Sequence, residues 1–538
     1  MNRAATEHSV SVLDNGASTR ADVAPAKLAL LAKNSIANLM RSGVNWVIVL
    51  VVPPLLVRLL DHAGYATWML VLQIGAYATL FDGGLQLAIG RFVARAGHAE
   101  DKDYLGNVLS SATAFLTVTA AAVFAAAAVV ALNLGSLFQS IPREIVPAAR
   151  EALLLIAGSL ALAMPTSAFA GLCLGFEKNE INAGAVSASR LAGAAGTLWA
   201  AFHRQGLVAM ALWTSGGTLM QPIIYFLAAR ALRVGAHFRP GLVSLAMARQ
   251  FGRFCAATFA SQFSMLLITG LDLPIVAAFD FRNAGYYALA ATASNLLAVP
   301  QSAVLTTLVP MMSSMSAGEA PNRMGQVLLR TTRLANALLM LGAVPLMLGM
   351  PVLLRLWVGD DYSRHTLAFA ETLMGAQLVR MTLLPYSLIG FSAGEQNKML
   401  ASPFIESAIN LVLSLILVRA MGAEGVAIGT LIGAFAGIAL HFTVSMRLTR
   451  SMEFSRKRLL WQGIIQPALW AIAPVLVLAA CLSRISGPGA QIALLFAAAG
   501  GLAAIYWRFH LDAGERAVMS KAAARVVRGR MRAMAIGA

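Results

Sequence analysis

From residue 35 to residue 508 the chain runs through one apolar stretch after another, each close to twenty residues long and set off by short polar breaks. A helix of about 20 residues spans the roughly 30 Å hydrocarbon core of a bilayer. Fourteen such segments can be read, near 35–60, 65–90, 106–132, 150–176, 181–202, 207–230, 252–279, 285–312, 327–353, 366–392, 399–419, 424–446, 462–483 and 489–508. Composition agrees with this reading. Charged residues make up 12% of the chain and hydrophobic ones 58%, whereas a soluble domain carries about 25% charged residues. So much apolar side chain also excludes a disordered polymer in water. The sequence predicts an all-α polytopic membrane protein with about 14 transmembrane helices.

The basic residues test that count independently. With the N-terminus placed in the cytoplasm, 29 Lys and Arg fall on the cytoplasmic side and nine on the other, never more than two in one outer loop. A missed or invented helix would invert every later loop and destroy this bias, so it fixes both parity and orientation. The net charge of +17 is therefore a topology signal, and no nucleic-acid partner is expected. Residues 1–26 are polar and lack the apolar core of a signal peptide. The expected layout is a disordered cytoplasmic tail over 1–33, an N-lobe of helices 1–6 over 34–240 and a C-lobe of helices 7–12 over 241–450. Helices 13 and 14 follow over 451–510, then a basic cytoplasmic tail over 511–538 that contacts anionic lipids.

Several function classes drop out. Cys173, Cys255 and Cys481 are isolated in apolar runs, which supports neither a disulfide framework nor a zinc site, and no cofactor is expected. There is no Gly-x-x-x-x-Gly-Lys loop for a nucleotide. The longest outer connection, near 133–149, is too short for the outer domain of a membrane glycosyltransferase or polysaccharide polymerase, which stands as the second alternative reading. No enzyme is expected.

An internal repeat is also legible. Pro53, Gly64 and Tyr65 recur as Pro274, Gly285 and Tyr286, all 221 residues later. Glu177 and Asn179 recur as Glu395 and Asn397 at 218, and Gly206-Leu207-Val208-Ala209 resembles Gly425-Val426-Ala427-Ile428 at 219. Each repeat holds six helices, an even number, so both have one orientation and a pseudo-twofold along the membrane normal is expected. Helices 13 and 14 form a C-terminal hairpin outside the repeat. Prolines inside spans permit bending, and the matched pair Pro53 and Pro274 are the candidate hinges.

Two six-helix lobes plus a hairpin, with Tyr65-Ala66-Thr67-Trp68 opening helix 2 and Asp82-Gly83-Gly84-Leu85 through Arg91 closing it, resemble the polysaccharide-transport branch of the multidrug/oligosaccharidyl-lipid/polysaccharide (MOP) exporter superfamily. That branch includes the Wzx-type flippases for O-antigen and exopolysaccharide repeat units. The resemblance implies two bundles around a central cavity in the bacterial inner membrane. The implied substrate is an undecaprenyl-diphosphate-linked glycan moved from the inner to the outer leaflet. The protein partners that the resemblance implies are a polysaccharide polymerase and a chain-length regulator. A cation-coupled multidrug exporter of the same superfamily is the first alternative.

Ionisable residues inside spans point to mechanism, because each costs about 2.5–3.5 kcal/mol at a helix centre on insertion scales and so faces water or a partner. They are Arg41, Asp82, Arg190, Asp272, Arg380 and Glu406. Guanidinium grips phosphate bidentately and stays charged, so Arg190, Arg380 and Arg41 are the candidate diphosphate ligands. Interhelical pairing is the competing explanation, and an Arg190–Glu406 pair is its specific form. Asp272, Glu406 and Asp82 are candidates for coupling transport to H⁺ or Na⁺. Tyr65, Trp68, Tyr286 and Trp357 are expected to anchor the membrane interface.

Overall fold

The computed structural model describes residues 37, 40–81, 85–96, 102–231, 239–305, 321–517 and 519–521; Asp82, the 1–33 tail and most of the 511–538 tail lie outside them. The described chain is helical and contains no strand. The described part of every expected segment falls on one or more helices. Among the described residues ten helical stretches are long and apolar enough to cross a membrane, and an eleventh is a pair, Asp360–Met381 and Leu384–Ser392, bent by 41°. The segments near 65–90 and 252–279 are interrupted, the first by the 3₁₀ turn Tyr77–Phe81 and the second by the π turn Leu266–Gly270. The segment near 181–202 is one unbroken helix, Asn179–Phe202, diluted by Asn182, Ser187, Ser189 and Arg190.

The molecule divides into two compact units, Met1–Phe263 and Ser264–Ala538. In the first, α1 (Met40–Leu59), α2 (His62–Ala76), α3 (Leu85–Ala96) and α4 (Lys102–Leu132) precede α5 (Val146–Ala163), α6 (Ser167–Gly175), α7 (Asn179–Phe202) and α8 (Gly206–Ala231). The second contains α9 (Asp272–Phe279), α10 (Phe281–Asn295), α11 (Pro321–Leu348), α12 (Asp360–Met381), α13 (Leu384–Ser392), α14 (Gln396–Met421) and α15 (Ala423–Leu440). Two further helices, α16 (Gln466–Leu482) and α17 (Pro488–Ile505), complete it.

Helix starts repeat between the units. His62, Ser167, Asn179 and Gly206 open helices whose counterparts begin at Phe281, Leu384, Gln396 and Ala423, at offsets of 219, 217, 217 and 217. Asp61 and Asp280 occupy the N-cap positions of the first pair. The backbone shifts one sequence match: Glu177 holds φ 60° and Gly394 φ 79°, so the turn residue equivalent to Glu177 is Gly394 and not Glu395. The N–H of the next residue, Lys178 or Glu395, bonds the carbonyl five back, Cys173 or Gly390. A left-handed turn suits glycine in one copy and strains a glutamate in the other.

Prolines mark further breaks. Pro165 lies in the 3₁₀ turn Met164–Thr166 between α5 and α6, and Pro385, 220 residues later, starts α13 after the bend. Pro53 sits inside α1, which continues unbroken, while Pro274 lies in the first turn of α9 behind the π turn. The two expected hinges thus occupy different local structures.

Backbone groups released at irregular turns inside a membrane must find partners in the protein. Buried amides supply them. Asn336 Nδ2 donates to the Thr382 carbonyl at the α12–α13 bend (3.0 Å) and to the Gly463 carbonyl in the π turn Leu459–Ile465 (2.7 Å). Asn410 Nδ2 donates to the carbonyl of Ile268 in the π turn Leu266–Gly270 at 2.5 Å. The C-terminal hairpin docks on α11: Ala337, Met340 and Val344 meet Ala471, Leu478, Leu495, Leu502 and Tyr506 in one buried cluster.

Past the last span, Arg330 and Arg333 bind Glu515, and Arg333 also reaches Asp512. The Glu515 N–H donates to the Asp512 carboxylate at 2.8 Å and, with both arginines, holds it below the usual carboxylate range. Tyr65 and Trp68 correct an expectation. They are fully buried, at 0% and 1% exposure, because α2 packs them into the bundle instead of presenting them to the interface; Tyr286 and Trp357 are half-buried.

Candidate functional site

Two polar centres emerge, one in each unit. In the first, α7 and α8 pack as an antiparallel pair through small residues. A Cβ added at Gly217 would lie 2.6 Å from the Cα of Gly193, the close approach that small residues permit in membranes. Ser189 Oγ donates to the Gly217 carbonyl at 2.7 Å, and the Thr197 and Thr214 hydroxyls pair at 2.8 Å. This rigid hairpin presents Arg190, Ser189 and Thr218 in a wall common to two cavities, of about 280 Å³ and 410 Å³.

The smaller cavity is also lined by Thr79, Thr166, Ser167, Gln221 and Tyr225. Gln221 Nε2 donates to the Tyr225 hydroxyl at 3.0 Å, and that hydroxyl donates to Asn182. The larger cavity adds Asn45 and Trp68. Arg190 Nη1 donates to Asn45 Oδ1, so α1 orients the guanidinium. Arg41 lies near enough for the two positive charges to repel. None of the described residues lining either cavity is acidic, and among the described residues Arg190 and Arg41 form no ion pair with a carboxylate. Hydroxyls, amides and a lone guanidinium make a surface for an oxygen-rich anion.

The second centre is a buried network. Arg380 Nε donates to Glu406 Oε1 at 2.6 Å, with side chains 13% and 8% exposed. Arg380 Nη2 also reaches the Thr430 carbonyl at 3.4 Å. Thr430 Oγ1 lies 3.0 Å from Asp272 Oδ2, 3.2 Å from Asn410 Oδ1 and 3.0 Å from the Val426 carbonyl. Tyr287 donates to Asp272 Oδ2 at 3.2 Å, and Ser414 to Asn410 Oδ1 at 3.1 Å. Glu406, Asn410 and Ser414 form one stripe of α14 at helical spacing, and the ladder Gly437, Gly433 and Gly429 of α15 makes room for them in that order. The competing Arg190–Glu406 pair does not form; the partner of Glu406 is Arg380, expected as a diphosphate ligand, because the α12–α15 and α14–α15 packings bring these side chains to one point.

Of the sequence candidates, Arg41 and Arg190 converge in the first unit. Asp272, Arg380 and Glu406 converge in the second, where Arg380 is committed to an acid. Sequence reasoning missed Asn45, Asn410, Thr430 and Tyr287, since it searched for charges alone; a lone Asn inside an apolar run was the available signal.

The structure of the lipid II flippase MurJ in an inward closed conformation superposes with a TM-score of 0.69 at 15% identity, covering 89% of this chain and 99% of that one. An inward-facing multidrug resistance MATE family transporter of the MOP superfamily gives 0.59 at 16% identity over 75% of this chain and 98% of that one. A Vibrio cholerae MATE transporter, VcmN, gives 0.55 at 15%, over 79% and 97%. At such identities the likeness is one of fold. No curated protein matches by sequence. The family model described as polysaccharide biosynthesis protein matches residues 31–316, more than half of the sequence. The chain therefore belongs to the polysaccharide biosynthesis protein family, built on the fold of the MOP transporters.

Proposed function

We propose that this multi-pass membrane protein is a flippase that carries an undecaprenyl-diphosphate-linked oligosaccharide across the bacterial inner membrane for cell-surface polysaccharide assembly, with both termini cytoplasmic. The observation that carries the reading is Arg190 in the wall of two cavities that hold hydroxyls and, among the described residues, no acidic lining residue. A diphosphate supplies the missing negative charge, and the hydroxyls and amides match sugar oxygens. The family description and the fold shared with a lipid II flippase support it. A cation-exporting multidrug transporter would need carboxylates, and the described residues lining these cavities include none. Translocation would proceed by alternating access of the two repeats, with Arg41 adding charge beside Arg190.

The buried network of the second unit supports ion coupling. Glu406 pairs with the guanidinium of Arg380, while the Asp272 carboxylate is held by the hydroxyls of Thr430 and Tyr287. One negative charge is left over in an apolar surround, and binding H⁺ or Na⁺ would neutralise it. The oxygens of Asp272, Asn410, Thr430 and the Val426 carbonyl converge there.

The test is flipping of a fluorescent undecaprenyl-diphosphate glycan in proteoliposomes. Hydrogen bonds to a charged group contribute about 1.5–3 kcal/mol, so R190A should slow transport by roughly 10- to 150-fold. R190K keeps the charge and loses the fork, and should fall between. D272N should remove the response to an imposed ion gradient while leaving substrate binding. Transport by R190A at the native rate overturns the substrate reading; an unchanged gradient response in D272N overturns the coupling.

A further inference from the structure

We propose that the first unit also holds the lipid tail of the substrate, in an alanine-lined groove that joins the Arg190 cavity at Ala78; this inference rests on the flippase reading. The groove measures about 420 Å³ and runs between α2 with its 3₁₀ extension, α4 and α5. Its lining is almost wholly apolar: Ile74, Gly75, Ala78 and Phe81 on one side, and Ala122, Val123, Ala126, Ala127 and Val130 of α4 on the other, with Ala157 at its base.

Three observations fix the occupant. First, continuity: Ala78 lines both the groove and the 280 Å³ cavity that contains Arg190. An amphiphile with its anionic head at Arg190 would therefore leave its chain at the mouth of this groove. Second, shape. The α4 wall facing it combines Ala122, Ala126 and Ala127 with Val118, Thr119, Val123 and Val130, and the three alanines keep a slot open where larger side chains would fill it. Gly75 lets α2 settle onto Ile156 of α5, since a Cβ there would come within 2.7 Å of that side chain, and this contact sets the floor. Third, chemistry. The polar cavity carries the hydroxyls and the guanidinium, and the groove carries almost none, so the two halves match a molecule with a diphosphate at one end and a polyprenyl chain at the other.

A second apolar groove, of about 270 Å³, lies in the other unit between Pro300, Gly342, Pro345 and Phe496. It is the natural competitor for the same tail.

The experiment uses the full-length protein in proteoliposomes. The probe is undecaprenyl diphosphate carrying a diazirine in its polyprenyl chain, with diazirine-labelled phosphatidylethanolamine as the bulk-lipid control. Cross-linked peptides are mapped by mass spectrometry. The diphosphate probe should label α4 around Ala122–Val130 in excess over the control lipid, and R190A should abolish that excess. Flipping is measured in parallel for A122W and A126W, which fill the groove, and for A125W, an exposed position of the same helix outside the lining. Losing about two methylene contacts should slow A122W and A126W roughly tenfold relative to A125W. Equal rates in all three, or labelling confined to the Phe496 groove, overturns the tail assignment. If those results come with a strong R190A defect, the flippase reading still stands. A native R190A rate removes the reading itself.

Discussion

Replacing Arg380 with alanine strands Glu406. The carboxylate is 8% exposed and its salt bridge is 2.6 Å long. Two unit charges about 4 Å apart interact by about 4 kcal/mol at an effective dielectric of 20. Breaking a buried pair from one side costs about 3–5 kcal/mol, and a charged group at a helix centre about 2.5–3.5 on insertion scales. Neutral hydrogen bonds in helical membrane proteins are far weaker, averaging about 0.6 kcal/mol. The charge term therefore decides, and R380A should lose about 3 kcal/mol, a factor of roughly 150 in the folding equilibrium.

The double variant R380M/E406L removes both charges while keeping volume, so it should return to within about 1 kcal/mol of the native protein. E406L alone, which strands the arginine, should resemble R380A. Reversible unfolding of the purified protein in mixed micelles, completed as a double-mutant cycle, gives the coupling directly. If the double variant is as unstable as the sum of the singles, the pair contributes nothing as a pair. Arg380 would then be free to serve another partner, and the division of labour between the units would fail.

Two adjacent glycines of α8 give an internal control on helix packing. G217A should destabilise the protein by about 1–3 kcal/mol through overpacking against Gly193, whereas G216A, with nothing within 4 Å of the added methyl, should gain up to about 1 kcal/mol from helix propensity; equal melting shifts would contradict the contact. Glu395 provides a pH test. Burial alone would raise its carboxyl, but Lys398 and the N–H groups of Arg450 and Ser451 outweigh that and hold it below the ordinary range. A lowered folded value means stability that is present above the unfolded glutamate value and lost as pH falls through the folded one. E395Q should therefore flatten the acid side of the stability curve below about pH 4.3, as read by melting temperature against pH. An unchanged slope would show that the carboxylate is not held.

Much of this architecture was legible because the bilayer imposes a length and an apolarity on every crossing. The described parts of the expected segments are helical, and the repeat showed itself in short strings at equivalent places, such as those beside Asn179 and Asn397. The pair Pro165 and Pro385 belonged to the same pattern and went unnoticed, since neither lies in a distinctive local string. Charge inside a span pointed to both polar centres. It could not say that Glu406 meets Arg380, because that depends on how α12, α14 and α15 pack, and identity alone carries no such information. Nor could periodicity reveal the π turns at 266–270 and 459–465, whose sequences are as apolar as any helix. Neutral amides such as Asn45 and Asn410 escaped for a related reason: each is unremarkable alone and acquires meaning only from the carbonyl or guanidinium placed opposite.

Asn336 ties together two places that would otherwise move separately. A single amide nitrogen on α11 secures both the joint at Thr382 and the π turn at the base of the final hairpin at Gly463. Straightening that joint pulls on the same rivet that anchors the hairpin, so the last two helices register any flexing of α12 against α13, and the second unit has fewer independent moving parts than its tally of irregular turns suggests.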